Sequence, residues 1–404
     1  MAPGRIVVSG AGVISSIGAG VEDFERALFQ GSSGIRTDGS NGAQVTAADV
    51  AGFTPQQWLG NKGIRVLDRS ARLLCVATHL ALEGQGPARP AEGDDGLGMI
   101  CGTMFGGLHS IVSFDWSGLT DGPSYVNPME FPNTVINSPA GQAAIKFKLR
   151  GINSTVCAGL ASGLYAIHYG AEALRLNRAR VLLAGGVEEL CEESLLGFRK
   201  TEVVSTVGRV RPFSRESDGT VPGEGSALLV LETAETAAAR GVTPWARVVG
   251  FGCSHDARAI SAYDPSAEGA TAAMELALES AGVTPEEVGG VIAAAGGNRA
   301  GDAMEARALS KVFGQRLARL PVTAPKAALG EAMGASGALA ALVGVLALKR
   351  GMAPPTAGCE GADYGLSLSR QPVPLEGDFV LVNAVSCDGN NASLVLGPAD
   401  GGGR

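Results

Sequence analysis

The chain has 404 residues, 45% hydrophobic and 18% charged, which is enough to bury a large core and too apolar for a disordered chain. Its formal charge is −8, and no run of Lys and Arg is interleaved with aromatics, so nucleic acid is not an expected partner. Glycines number 59 while aromatics make up 5%, so close packing through small residues is expected in place of a core of large rings.

Met1-Ala-Pro-Gly-Arg5 passes directly into an apolar run, with no charged segment followed by a long apolar stretch. No export signal is expected, and the cytoplasm is the default location. Short apolar runs punctuated by glycine then recur along the chain, each followed by a helical pattern. In the first half they predict strands over residues 5–9, 98–102, 153–157, 181–184 and 227–231. In the second half they predict strands over 247–252, 290–294, 321–323, 379–384 and 393–396. Helices are predicted over 68–82, 161–176, 268–281, 302–312 and 335–348, several with apolar positions at helical spacing. Continuous apolar strands alternating with helices indicate an α/β fold with parallel strands buried on both faces.

Both halves contain the same kind of unit. A Gly/Pro-punctuated junction at 237–244 divides them into residues 1–240 and 241–404. The longest apolar stretch, 334–348, is broken by glycine and shorter than the roughly 20 residues that span a bilayer, so it is expected as a buried helix and no membrane as a partner. The seven cysteines are widely spaced and form no C-x-x-C pair. Neither a disulfide framework nor a zinc site is expected, and no cofactor or metal is implied.

Four segments in order carry a family resemblance: Val181-Leu-Leu-Ala-Gly-Gly-Val-Glu188; Arg211-Pro-Phe-Ser-Arg-Glu-Ser-Asp-Gly219 with Gly223-Glu-Gly225; Val322-Thr-Ala-Pro-Lys326; and Gly334-Ala-Ser-Gly337. Together they resemble the β-ketoacyl synthases of fatty acid and polyketide assembly. The resemblance implies a thiolase-type five-layer αβαβα fold built from two similar halves. It also implies a cysteine at a helix N-terminus that accepts an acyl chain from an acyl carrier protein, two histidines that assist decarboxylation, and a lysine that orients them.

The chain keeps the landmarks and lacks the chemistry. The family's cysteine position, nine residues past Gly151, is Leu160. The first histidine position falls at Ala294 or a near neighbour, and the second is Glu331, five residues after the retained Lys326. Lys326 and Glu331 are expected to form an ion pair. The four histidines, His79, His109, His168 and His255, stand at none of the catalytic positions. The C-terminal loop that carries a gating phenylalanine in active synthases reads Ser386-Cys387-Asp388-Gly389.

These losses resemble the ketosynthase-β subunits, or chain-length factors, of type II polyketide synthases, although many of those carry glutamine where this chain has Leu160. The resemblance implies a heterodimer with a catalytic ketosynthase-α subunit, which receives the acyl carrier protein. It also implies that Leu108, Ile111 and Asp115, on the helix after Phe105-Gly-Gly107, line the end of the polyketide tunnel. Edge residues Asn153, Thr155 and Cys157, together with Glu130, are implied at the interface. Cys157 is expected as a buried small side chain on its strand. Two other readings stay open: an independent acyltransferase using Cys157, and a homodimeric scaffold that binds acyl chains.

Overall fold

A computed structural model describes residues 4–38, 45–258 and 260–400. The segment on which the absence of an export signal was read begins before them. In the first half the strands along the main sheet are β1 (Ile6–Ser15), β2 (Leu97–Gly102), β3 (Asn153–Val156), β4 (Val181–Glu188) and β5 (Gly225–Thr233). The second half repeats the set with β6 (Ala246–His255), β7 (Val288–Ile292), β8 (Pro321–Thr323), a two-residue β9 (Ser367–Leu368), β10 (Phe379–Val385) and β11 (Asn390–Pro398).

The strand order is β3-β2-β4-β5-β1 in the first half and β8-β7-β10-β11-β6 in the second, with β9 added outside β8. Numbered within its own half, each sheet therefore reads 3-2-4-5-1, and the parallel and antiparallel pairs also match. The repeat that was inferred from element order alone is thus written in the topology. The halves join where β1 pairs β6, through Val7↔Arg247 and Val8↔Ala246.

The sheets are mixed, which corrects the expectation of parallel strands throughout. β2 is parallel to β3 and β4, and β7 to β8 and β10, whereas β4/β5, β5/β1, β10/β11 and β11/β6 are antiparallel. A continuous apolar run reports burial on both faces, and here helices cover both faces whatever the strand direction.

Outer helices α1 (Arg69–Glu83) and α3 (Ser138–Phe147) cover one face of the first sheet. Between the sheets lie α4 (Ser162–Arg175) and α8 (Ser336–Arg350). The far face of the second sheet is covered by α6 (Glu268–Ala281) and α7 (Arg299–Phe313). Strand alternation sorts the core accordingly: Leu182 and Ala184 of β4 point to the central layer, and Val181, Leu183 and Val187 to the outer one.

Helix α8 is buried from Ser336 to Ala347 because both of its sides face a sheet or α4. Its close approach to α4 requires Gly163, where a Cβ would lie 2.5 Å from Ala338 N. After β2 the chain leaves the sheet through α2 (Leu108–Thr120), and α5 (Glu192–Lys200) packs near it after β4.

Candidate functional site

Leu160 sits in the turn between β3 and the N-terminus of α4, where Ala161 N–H is bonded to Ala158 O. It faces a small cavity that Ala294, Lys326, Leu329, Ala340 and Asn383 also line. The free volume is about 10 Å³, the room of a single water. Leu160 N–H donates to Ser386 Oγ at 3.4 Å, which seats the C-terminal loop against the same turn.

Lys326 Nζ lies 2.6 Å from Glu331 Oε2, and the side chains are 10% and 9% exposed. Glu331 Oε1 also accepts from Met333 N–H at 3.0 Å and Ser336 Oγ at 2.7 Å. The expected ion pair is therefore present, and the carboxylate is spent on three donors. Leu160, Ala294, Lys326 and Glu331 thus meet in one place. Among the described residues lining the cavity there is no thiol and no imidazole, and the one hydroxyl, Ser336 Oγ, donates to Glu331 and accepts from Ala332 N–H at 3.0 Å.

Two further acids, to which sequence reasoning assigned no role, frame the cavity from α7. Glu305 Oε1 accepts from Ala294 N–H at 2.9 Å and from Asn383 Nδ2 at 3.0 Å, and burial raises its pKa. Asp302 accepts from the backbone N–H groups of Phe213, Gly296 and Gly297 at 2.9–3.1 Å, and burial pushes its pKa up to about 7. Two of these partners lie five and six residues before Asp302, and Phe213 lies 89 residues away.

Cys157 lies one residue past β3, is exposed, and donates its thiol toward Met104 O at 3.5 Å. This corrects the expectation of a buried strand residue: β3 is the edge of its sheet, so one side of it has no neighbouring strand among the described residues. Partial burial pushes the Cys157 thiol up, and the residue is absent from the lining of the cavity.

On α2, Leu108 and Ile111 are half-buried and Asp115 is exposed, all three along one helical face. His109 Nδ1 lies 3.1 Å from Glu193 Oε1, at the surface. His168 stacks on Phe251 with ring centroids 4.1 Å apart, and burial lowers its pKa. Glu130 is half-buried and accepts from Asn127 Nδ2 at 3.2 Å. On β3, exposed Asn153 donates to Ala140 O at 2.9 Å, and Thr155 Oγ1 is buried without a partner. The segment 105–145, which reaches β3 through α3, exposes Val112, Trp116, Leu119, Tyr125, Met129 and Ile145.

Residues 4–237 match the family model for the β-ketoacyl synthase N-terminal domain, and residues 245–360 match that for its C-terminal domain. A 3-oxoacyl-[acyl-carrier-protein] synthase 2 of Coxiella burnetii is 34% identical over 97% of this chain and 98% of its own length. One of Vibrio cholerae is 31% identical over 98% and 99%. Among solved structures, the ishigamide ketosynthase/chain length factor superposes with a TM-score of 0.90 at 31% identity, covering 98% of this chain and 100% of that one. The ketosynthase ApeO in complex with its chain length factor ApeC, from Xenorhabdus doucetiae, gives 0.82 at 25%, with 98% of each chain covered. With a thiolase-type fold and both domain models matched in order, the chain belongs to the β-ketoacyl synthase family.

Proposed function

We propose that this chain is a chain-length factor: a ketosynthase-like subunit that does no covalent chemistry and pairs with an active ketosynthase. The observation that carries the reading is the content of the cavity. A condensing enzyme needs a nucleophile to take the acyl chain and donors for the charge that develops on decarboxylation. Here Leu160 and Ala294 supply neither, and Glu331, an acceptor already held by Lys326, Met333 and Ser336, offers no donor to the developing charge.

In this reading the partner subunit takes the chain from an acyl carrier protein and extends it by decarboxylative Claisen condensation. The present subunit offers β3 and the apolar segment 105–145 as contact area, and α2 as the end of the tunnel. Length control is steric: a chain that reaches Leu108 and Ile111 meets occupied volume, and further growth requires overpacking. Two similar structures, the ishigamide ketosynthase/chain length factor and the complex of ApeO with its chain length factor ApeC, support this pairing.

The test is co-expression with a ketosynthase that retains its cysteine and two histidines. The expected result is a stable heterodimer in which an acyl-thioester analogue labels the partner and leaves Cys157 of this chain unlabelled. Condensation by this chain alone, or acylation at Cys157, would replace the proposal with that of an independent synthase.

A further inference from the structure

Two acids in succession, Glu188 and Glu189, stand at the end of β4; they are 0% and 2% exposed. The Glu188 carboxylate accepts four hydrogen bonds from two separate segments. Oε1 takes Thr103 Oγ1–H and Phe105 N–H, each at 3.1 Å. Oε2 takes Met104 N–H at 2.6 Å and Gly334 N–H at 3.0 Å. The first segment leads straight into α2. The second is the turn that follows Glu331, beside the cavity.

That turn is held from both sides. Met333 N–H bonds to Glu331 and Gly334 N–H to Glu188, so consecutive amides are gripped by different buried carboxylates. Met333 has φ 47°, a left-handed conformation that a non-glycine residue keeps only when its surroundings enforce it. A Cβ on Gly334 would strike Met104 N and lie 2.6 Å from Glu188 Oε2. Glu189, the next residue, accepts from His109 N–H at 3.1 Å in the first turn of α2 and from Ser70 N–H at 3.0 Å in α1.

We infer that Glu188 is a positioning residue for product length: it fixes the base of α2 against the turn at Met333–Gly334, and so sets the depth at which Leu108 and Ile111 stand. The inference rests on the chain-length-factor reading. Its geometric half, the link between cavity turn and helix base, stands independently of that reading. The buried Thr103 is the gentlest handle on it. Thr103→Val removes, at nearly constant shape, the donor to Glu188 and with it the acceptor of Gly106 N–H, and Thr103→Ser keeps both.

The test has two arms. Amide exchange is read by mass spectrometry on this chain without a partner, in wild type, Thr103→Val, Thr103→Ser and Gly334→Ala. Exchange over residues 103–112 should rise about tenfold in Thr103→Val and Gly334→Ala, as when a charge-assisted hydrogen bond is lost, and stay at the wild-type rate in Thr103→Ser. Unchanged exchange at 103–112 in Gly334→Ala overturns the link. In the heterodimer, Thr103→Val should change the ratio of product lengths several-fold while Thr103→Ser does not. An unchanged ratio in an intact Thr103→Val heterodimer with raised exchange overturns the role in length selection. Absence of any heterodimer in wild type removes the functional reading itself, and the exchange arm still judges the link.

Discussion

Lys326 and Glu331 neutralise each other at 2.6 Å, beside the cavity that Lys326 lines together with Leu160. A buried pair with good geometry is weak evidence for stability, but breaking it leaves a buried charge, which costs about 3–5 kcal/mol. Lys326→Met should therefore lower the urea midpoint strongly. Lys326→Met combined with Glu331→Gln removes the orphaned charge and keeps an oxygen for Met333 N–H and Ser336 Oγ, so it should recover most of the loss. A double variant no more stable than Lys326→Met would show that the pair does not couple.

Restoring a thiol should not restore chemistry. In Leu160→Cys the sulfur would stand in a small cavity lined by Ala293, Ala294, Leu329 and Ala340, with the nearby ammonium of Lys326 already paired to Glu331. Apolar burial holds a thiol protonated, and no imidazole is present to accept its proton. Mass spectrometry after incubation with an acyl thioester should find no adduct at position 160, and condensation should stay at background. Turnover by this variant without a partner would overturn the reading of the site.

Much of this was legible in the sequence. The strand at Pro321–Thr323 and the helix at Glu268–Ala281 have the predicted bounds, and the other predicted strands and helices occur within a few residues. β1 runs on to Ser15, beyond the predicted end at residue 9, because Gly10 and Gly12 interrupt an apolar run that is nevertheless buried throughout. α3 and α5 were not predicted. The roles of Glu188 and Glu189 were also out of reach, because their amide partners are distant in the chain, and those of Asp302 and Glu305 because a loop folded back over α7 brings its amides to them. No local pattern distinguishes a buried acid satisfied in this way from an exposed one.

Ile111→Ala removes volume from the half-buried face of α2 and should lengthen the product of the heterodimer. The measurement is the mass distribution of released chains at matched complex concentration. Unchanged length from an intact complex would take Ile111 out of the gate.

Burial, with the neighbouring Asp68 charge adding to it, raises Glu189 to about 7, and the N–H groups of His109 and Ser70 do not offset this. A carboxyl whose folded pKa exceeds its ordinary value of 4.5 binds protons more tightly when folded. Its contribution to stability therefore falls as pH rises from about 4.5 to about 7 and is flat above that range. Glu189→Gln, which does not titrate, should flatten the pH dependence of the unfolding free energy, read from urea titrations, in this window by up to about 1 kcal/mol per pH unit. An identical slope in wild type and variant would show that Glu189 is ionised throughout.

The edge of the sheet offers the most selective test of pairing. In a parallel ladder a residue bonds with both its N–H and its C=O to one neighbour, and alternate residues face opposite sides. Met99 N–H bonds to Ile152 O at 2.7 Å and Thr103 N–H to Val156 O at 3.1 Å, so residues 152, 154 and 156 face β2. Asn153 and Thr155 then present their backbone groups outward, from the edge strand of the sheet. Such an edge is a template for another strand. Thr155→Pro deletes one outward N–H and leaves the internal ladder intact, whereas Ser154→Pro deletes an inward one. Thr155→Pro should therefore leave the thermal midpoint of the isolated chain near wild type and weaken the heterodimer at least about tenfold, since ladder bonds supply the register on which the flanking apolar residues dock. Ser154→Pro should lower the midpoint of the chain itself. Undiminished heterodimer on size-exclusion chromatography with Thr155→Pro would move the interface away from β3 and onto the apolar segment 105–145 alone.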